Sequence, residues 1–156
     1  REKKQAVLHM DIPTDWELYG DPFYWTQILF NLVENALKQN TEPGLSITVA
    51  AAKTQDACVI TVTDTGVGIP AESIPFLFNR FYRVETHHSS EIRGTGLGLS
   101  IVKRAVEAHD GAITVSSIPH RETVFTITIP LKRFREEKRI RQLSQVSIET
   151  SANKST

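Results

Sequence analysis

The chain has 156 residues, of which 40% are hydrophobic and 23% charged, and its formal net charge is zero. That composition suits one folded domain with a single core, and the neutral balance argues against a dedicated nucleic-acid binder. No run approaches the roughly 18 apolar residues that span a membrane, and a single cysteine, Cys58, excludes an internal disulfide and a thiolate metal cluster. A reducing, cytoplasmic setting is the simplest expectation. The first residue is Arg rather than Met, so the sequence reads as a piece of a longer protein. Its charge is uneven: residues 132–156 carry seven Lys or Arg against three Glu, a net +4 that leaves −4 on the rest. This points to a domain over residues 1–132 and a charged, then polar, tail over 133–156 that is expected to be disordered. A helical extension or a contact for an acidic partner is the alternative for the run from Lys132 to Arg141.

In chain order, Ala6 to Ile12 reads as a strand and Trp16 to Tyr19 as a second, short one after the Pro13-Thr14-Asp15 turn. Asp21-Pro22 predicts a helix start, since Asp caps well and Pro suits the first helical position. Trp25, Ile28, Leu29, Leu32, Val33 and Ala36 then form one apolar stripe, and the helix should stop near Gln39-Asn40. Strands are expected over Leu45 to Ala51 and Ala57 to Thr63, turning at Gln55-Asp56. Between Thr65 and about Thr95 the pattern is irregular except for a short helix near Glu72 to Phe76; so long a loop in a small domain usually carries function. Leu97 to His109 predicts a second long helix, with Ile101, Val102, Ala105 and Val106 inward and Gly111 as its stop. Strands Ala112 to Ser117 and Val124 to Pro130 close the domain. The expected architecture is an α+β two-layer sandwich: a mixed, mainly antiparallel five-stranded sheet with helices on one face.

Four motifs lie on this frame: Asn31-Leu-Val-Glu-Asn35-Ala-Leu-Lys38, Asp64-Thr-Gly66-Val-Gly68-Ile-Pro70, Phe78-Asn-Arg-Phe81-Tyr-Arg83 and Gly94-Thr-Gly96-Leu-Gly98-Leu. Asn31, Asn35 and Lys38 fall within about 60° of one another on a helix, so two amides and an ammonium face one spot. An Asn oxygen suits magnesium, a hard cation that shares its shell with water and phosphates, and Lys38 would neutralise phosphate charge. A solvated polar face is the plainer reading of that helix alone. Asp64 continues the register of Cys58, Ile60 and Val62, so its carboxylate points into the apolar layer, where it needs a partner such as an adenine amino group. Gly66 and Gly68 let backbone approach a base closely; an ordinary turn ending a strand is the alternative. The Gly94 to Gly98 run precedes a helix, whose free N–H groups favour phosphate. It is not the dinucleotide fingerprint, because Leu99 stands where the third glycine would be, and no P-loop or protein-kinase His-Arg-Asp and Asp-Phe-Gly segments occur.

Over roughly residues 5 to 132, these four boxes resemble the catalytic ATP-binding domain of bacterial sensor histidine kinases, of the superfamily that includes gyrase-type ATPases and Hsp90 chaperones. The resemblance implies the Bergerat fold with a mobile lid over ATP at residues 79–95. It implies Asn35 as the magnesium ligand, Asp64 as the adenine reader, and Lys38 and Arg83 as phosphate contacts. The nucleotide-binding set it implies comprises Asn35, Lys38, Asp64, Gly66, Gly68, Ile69, Phe81, Arg83, Arg93, Gly94, Thr95, Gly96, Leu97 and Gly98. Asn31, Asn35, Lys38 and Arg83 would serve the transfer step. The implied activity is transfer of the ATP γ-phosphoryl group to a histidine on a separate helical dimerisation and phosphoacceptor domain, with a response regulator downstream. The chain itself would then be monomeric and the cytoplasmic part of a membrane-bound sensor. Gln39 departs from the family's frequent aromatic residue, which would lower nucleotide affinity. The turn Pro119-His-Arg-Glu-Thr123 replaces a glycine-bearing one, with no expected functional consequence. The phosphoaccepting histidine helix is missing.

Asn31 bears on the reaction. Related ATPases have an acidic residue there to activate water, and an amide cannot serve as that base, which favours transfer over hydrolysis. Glu34 is one residue from Asn35 but off the stripe. Three alternatives stay open: an ATPase using another base, a serine kinase of the anti-sigma type, and a non-catalytic module that docks partner helices.

Overall fold

The structure, a computed structural model, describes residues 6–13, 21–40, 43–84, 98–131, 139–140 and 142–145. Its elements are β1 (Ala6–Asp11), α1 (Pro22–Gln39), β2 (Leu45–Lys53), β3 (Ala57–Asp64), a 3-10 turn (Ala71–Phe76), α2 (Gly98–Glu107), β4 (Ala112–Ile118) and β5 (Glu122–Pro130). The five strands form one sheet in the order β1-β2-β3-β5-β4. Only β1 and β2 run parallel; the other pairs are antiparallel. This is the mixed sheet the periodicities predict. The strand expected over Trp16 to Tyr19 lies outside the described residues. Residues 139–140 and 142–145 are helical; they lie in the tail expected to be disordered, where a helical extension is the alternative up to Arg141.

Helix α1 starts where its sequence dictates. The Asp21 carboxylate accepts the Phe23 N–H at 2.9 Å, and Pro22, which has no N–H to leave unpaired, takes the first position. Trp25, Ile28, Leu32 and Ala36 are buried, with Leu29 and Val33 packed partly against them. Opposite them lie Ile47, Val49, Cys58, Ile60, Val62, Phe125, Ile127 and Ile129, one face of β2, β3 and β5. Each large side chain so buried contributes about 1.5–3 kcal/mol. Val102, Ala105 and Val106 anchor α2 on the same layer.

At the end of α2 the fold departs from expectation. The left-handed residue there is Asp110, with φ 58°, and not Gly111. Gly111 is required for space instead: a Cβ on it would lie 2.9 Å from the Thr128 carbonyl oxygen and 3.0 Å from Ile129 Cγ1. Just before it, His109 is 2% exposed and joins the two helices. Its Nε2 accepts the Asp21 N–H at 3.3 Å, so Nδ1 carries the proton donated to the Ala105 carbonyl at 2.8 Å. The Tyr24 and Trp25 rings flank it at 5.8 and 5.3 Å.

Candidate nucleotide site

The apolar face of the sheet turns polar at one end. In register, Ile47 on β2 stands beside Asp64 on β3, Asp64 beside Thr123 on β5, and Thr123 beside Ser117 on β4. Asp64 is 7% exposed, as the strand register predicts. Its carboxylate accepts the Gly66 N–H at 3.0 Å and a hydrogen bond from the Asn40 side chain. Burial pushes the Asp64 carboxyl above its ordinary range, and these two hydrogen bonds pull it part of the way back.

The loop after Asp64 is held on both sides. Asn40 Oδ1 accepts the Val67 N–H at 2.7 Å, while the Val67 carbonyl accepts the His120 N–H at 2.7 Å. Ser117 Oγ accepts the Ile69 N–H at 2.8 Å and donates to the Glu122 carbonyl at 2.7 Å. Gly68 sits at φ 73°, and a Cβ there would lie 2.6 Å from the Ile118 carbonyl oxygen. The β4–β5 turn is therefore a wall of the loop. The contacts come from backbone atoms of that turn, and His120 in it is left-handed at φ 62°.

Helix α1 presents the polar face that the spacing predicts. Asn31 and Asn35 are half-buried and Lys38 is exposed. The Asn31 amide nitrogen donates to the Gln27 carbonyl at 2.7 Å, which turns its oxygen outward from the helix backbone. A Cβ on Gly98 would come within 3.2 Å of that oxygen, so the first turn of α2 abuts Asn31. Two sequence motifs some 60 residues apart thus meet. Lys38 Nζ lies 2.6 Å from Glu34 Oε1, a pairing that the one-sided helix reading missed.

The aromatic motif lies past the 3-10 turn. Phe78 is half-buried, its ring edge-on to Phe125 at 6.2 Å with Lys103 Nζ 5.9 Å above it. Phe81 is 67% exposed and left-handed at φ 65°, with the Arg80 guanidinium 5.4 Å from its ring. Arg83 is exposed. Arg93, Gly94, Thr95, Gly96 and Leu97 lie outside the described residues. The structure thus joins Asp64, Gly66, Gly68 and Ile69 in one loop assembly and Asn31 with Gly98 in a second contact. Asn40 is the residue that sequence reasoning overlooked; the only local signal was a polar residue at a helix end.

Residues 20–133 match the model of the histidine kinase-, DNA gyrase B-, and HSP90-like ATPase family, and the chain belongs to that family. It is 39% identical over 138 residues to the sensor histidine kinase WalK of Bacillus subtilis, a match covering 86% of this chain and 23% of WalK. The chain therefore spans about a quarter of that relative. Among solved structures, the mycobacterial sensor histidine kinase MprB superimposes with a TM-score of 0.71 at 29% identity, over 80% of this chain and 83% of that one. ShkA, solved full-length in complex with AMPPNP, gives 0.67 at 25% identity, over 80% of this chain and 25% of that one. The five-stranded mixed sheet with its helices is the fold of histidine kinase catalytic domains.

Proposed function

We propose that this chain binds Mg-ATP and presents the γ-phosphoryl group in line to a histidine on a separate helical phosphoacceptor domain, as the catalytic part of a two-component sensor kinase. The observation that carries the reading is Asp64: a carboxylate 7% exposed, held by Gly66 and Asn40 and with acceptor capacity left over. A carboxylate buried this way suits the exocyclic amine of adenine. The family match, WalK's description as a sensor histidine kinase and the AMPPNP bound to ShkA support it.

Phosphoryl transfer requires positioning and charge neutralisation more than covalent chemistry by the protein. Asn31 is an amide whose nitrogen is committed to Gln27. It cannot take a proton from water, so Asn31 does not supply a base for hydrolysis. Lys38 would exchange Glu34 for phosphate oxygens, and Arg83 and Arg93 would add positive charge to the developing transition state. No group of three His, Cys, Asp or Glu suited to a metal occurs among the described residues. The half-buried Asn35 amide oxygen, a hard donor on the polar face of α1, fits a magnesium ion shared with nucleotide phosphates. When bound, the ion would neutralise charge on the β- and γ-phosphates. The reading extends to a response regulator downstream, a monomeric domain and a cytoplasmic position in a membrane-bound sensor. No described helix is long and apolar enough to cross a membrane.

The test is to incubate the chain with γ-labelled Mg-ATP and a separately produced helical phosphoacceptor domain. Acid-labile, base-stable label on that domain is expected. Acid-stable phosphoserine, or label released only as phosphate, would contradict the reading.

A further inference from the structure

Asn40, just past α1, is 5% exposed, and its amide is used on every side. Oδ1 accepts the Val67 N–H at 2.7 Å, Nδ2 donates to the Ala36 carbonyl at 2.6 Å, and the side chain also hydrogen-bonds Asp64. The amide can sit only this way round, because a flip would set N–H against N–H and oxygen against oxygen. Nδ2 therefore supplies the hydrogen that Asp64 accepts. The packing is tight as well. A Cβ on Gly66 would overlap the Asn40 amide, both its Oδ1 and its Nδ2. Gly66 is glycine here because Asn40 fills its side-chain space.

We propose that Asn40 is a positioning residue for purine discrimination: by packing under Gly66, bracing Val67 and hydrogen-bonding Asp64 it holds that carboxylate aimed at the base as an acceptor, so that the site takes 6-amino purines and rejects 6-oxo purines. The inference deepens, and rests on, the reading of Asp64 as the base contact. A carboxylate accepts from adenine's amino group but opposes guanine's O6. A protonated carboxyl has an O–H that can donate to O6. Discrimination thus depends on which form Asp64 takes.

The surroundings leave Asn40 as the main side-chain control of that form among the described residues. The register neighbours of Asp64 are Ile47 and Thr123, neither of them titratable. On α1, Glu34 and Lys38 pair with each other. Burial pushes the carboxyl up, and the Gly66 N–H and the Asn40 amide oppose it. Without Asn40, one of the two opposing bonds is gone and protonation comes more readily.

The experiment is calorimetric titration of wild type and Asn40→Ser with Mg-ADP and Mg-GDP between about pH 5.5 and 8. Wild type is expected to prefer ADP. Asn40→Ser should show a preference about tenfold smaller, the worth of one charge-assisted hydrogen bond, with the loss greater toward lower pH. Asn40→Asp, which keeps the shape and the Val67 acceptor but replaces the donor by a second carboxylate, should lose the preference more steeply. It serves if Asn40→Ser fails to fold. A folded variant that keeps the wild-type ADP-to-GDP ratio at every pH overturns the role of Asn40 alone. Wild type without any ADP preference overturns the reading of Asp64 and, with it, this inference.

Discussion

Asp64→Asn tests the site at its buried carboxylate. A carboxylate offers about four lone-pair positions, of which the Gly66 N–H at 3.0 Å and the Asn40 side chain use two. One of the others is assigned to the adenine amine. A hydrogen bond to a charged acceptor is worth about 1.5–3 kcal/mol, so its loss should weaken Mg-ADP binding about 10- to 150-fold at 1.4 kcal/mol per decade. Calorimetric titration of both proteins, with circular dichroism to verify folding, reads this directly. A folded variant within threefold of wild type would refute the assignment. The same substitution has a pH signature in the protein without nucleotide. Burial raises the folded-state carboxyl above its ordinary 3.8. The folded protein then binds this proton more tightly than the unfolded chain, and stability falls as pH rises through the interval between the two values. Asparagine does not titrate. The melting temperature of Asp64→Asn, relative to wild type, should therefore be higher at pH 7 than at about pH 3.5; a constant difference would contradict the raised carboxyl.

Three further outcomes follow from particular contacts. Gly68→Ala forces a left-handed L-residue, costing about 1–2 kcal/mol, and sets a methyl 2.6 Å from the Ile118 carbonyl oxygen and 2.8 Å from Pro119 Cα, backbone atoms that cannot rotate aside. Urea denaturation should show a loss of at least about 2 kcal/mol; a loss under about 0.5 kcal/mol would count against the wall formed by the β4–β5 turn. His120→Gly relieves φ 62° while keeping the backbone N–H that Val67 accepts. After the greater freedom of glycine in the unfolded chain is subtracted, a gain between zero and about 1 kcal/mol is expected in the same assay, and clear destabilisation would point to a role for the His120 side chain. Glu34→Gln removes the partner of Lys38. An i,i+4 pair at the surface is worth about 0.3–0.5 kcal/mol, so Mg-ATP should bind about twofold more tightly. Weaker binding would mean that Glu34 assists the nucleotide rather than competing for the lysine.

Local signals were legible where local physics decides. Asp21-Pro22 marks the start of α1 because capping and the missing proline N–H act within one turn. The burial of Asp64 follows from alternation along β3, since a period of two sends every second residue to the same face. Distant contacts were not legible. Asn40 reaches Val67 across 27 positions, and His120 reaches the same residue from the β4–β5 turn. The backbone of the β4–β5 turn thus becomes a wall of a loop some 50 residues before it in the chain. Gly111 shows the same limit: its place after a helix suggests a left-handed stop, but Asp110 takes that conformation and the closeness of β5 demands the glycine. The Lys38–Glu34 pair was not legible either, because an isolated helix face says nothing about which neighbour holds the ammonium.

The central claim is nucleotide binding without hydrolysis, poised for transfer. It is tested most directly by calorimetric titration of this chain with Mg-ATP, followed by assay of the same mixture for ADP. Saturable binding with the ATP left intact is the predicted result. Sustained ADP release would contradict it by making the domain a hydrolase, and absence of binding would leave a docking module in its place.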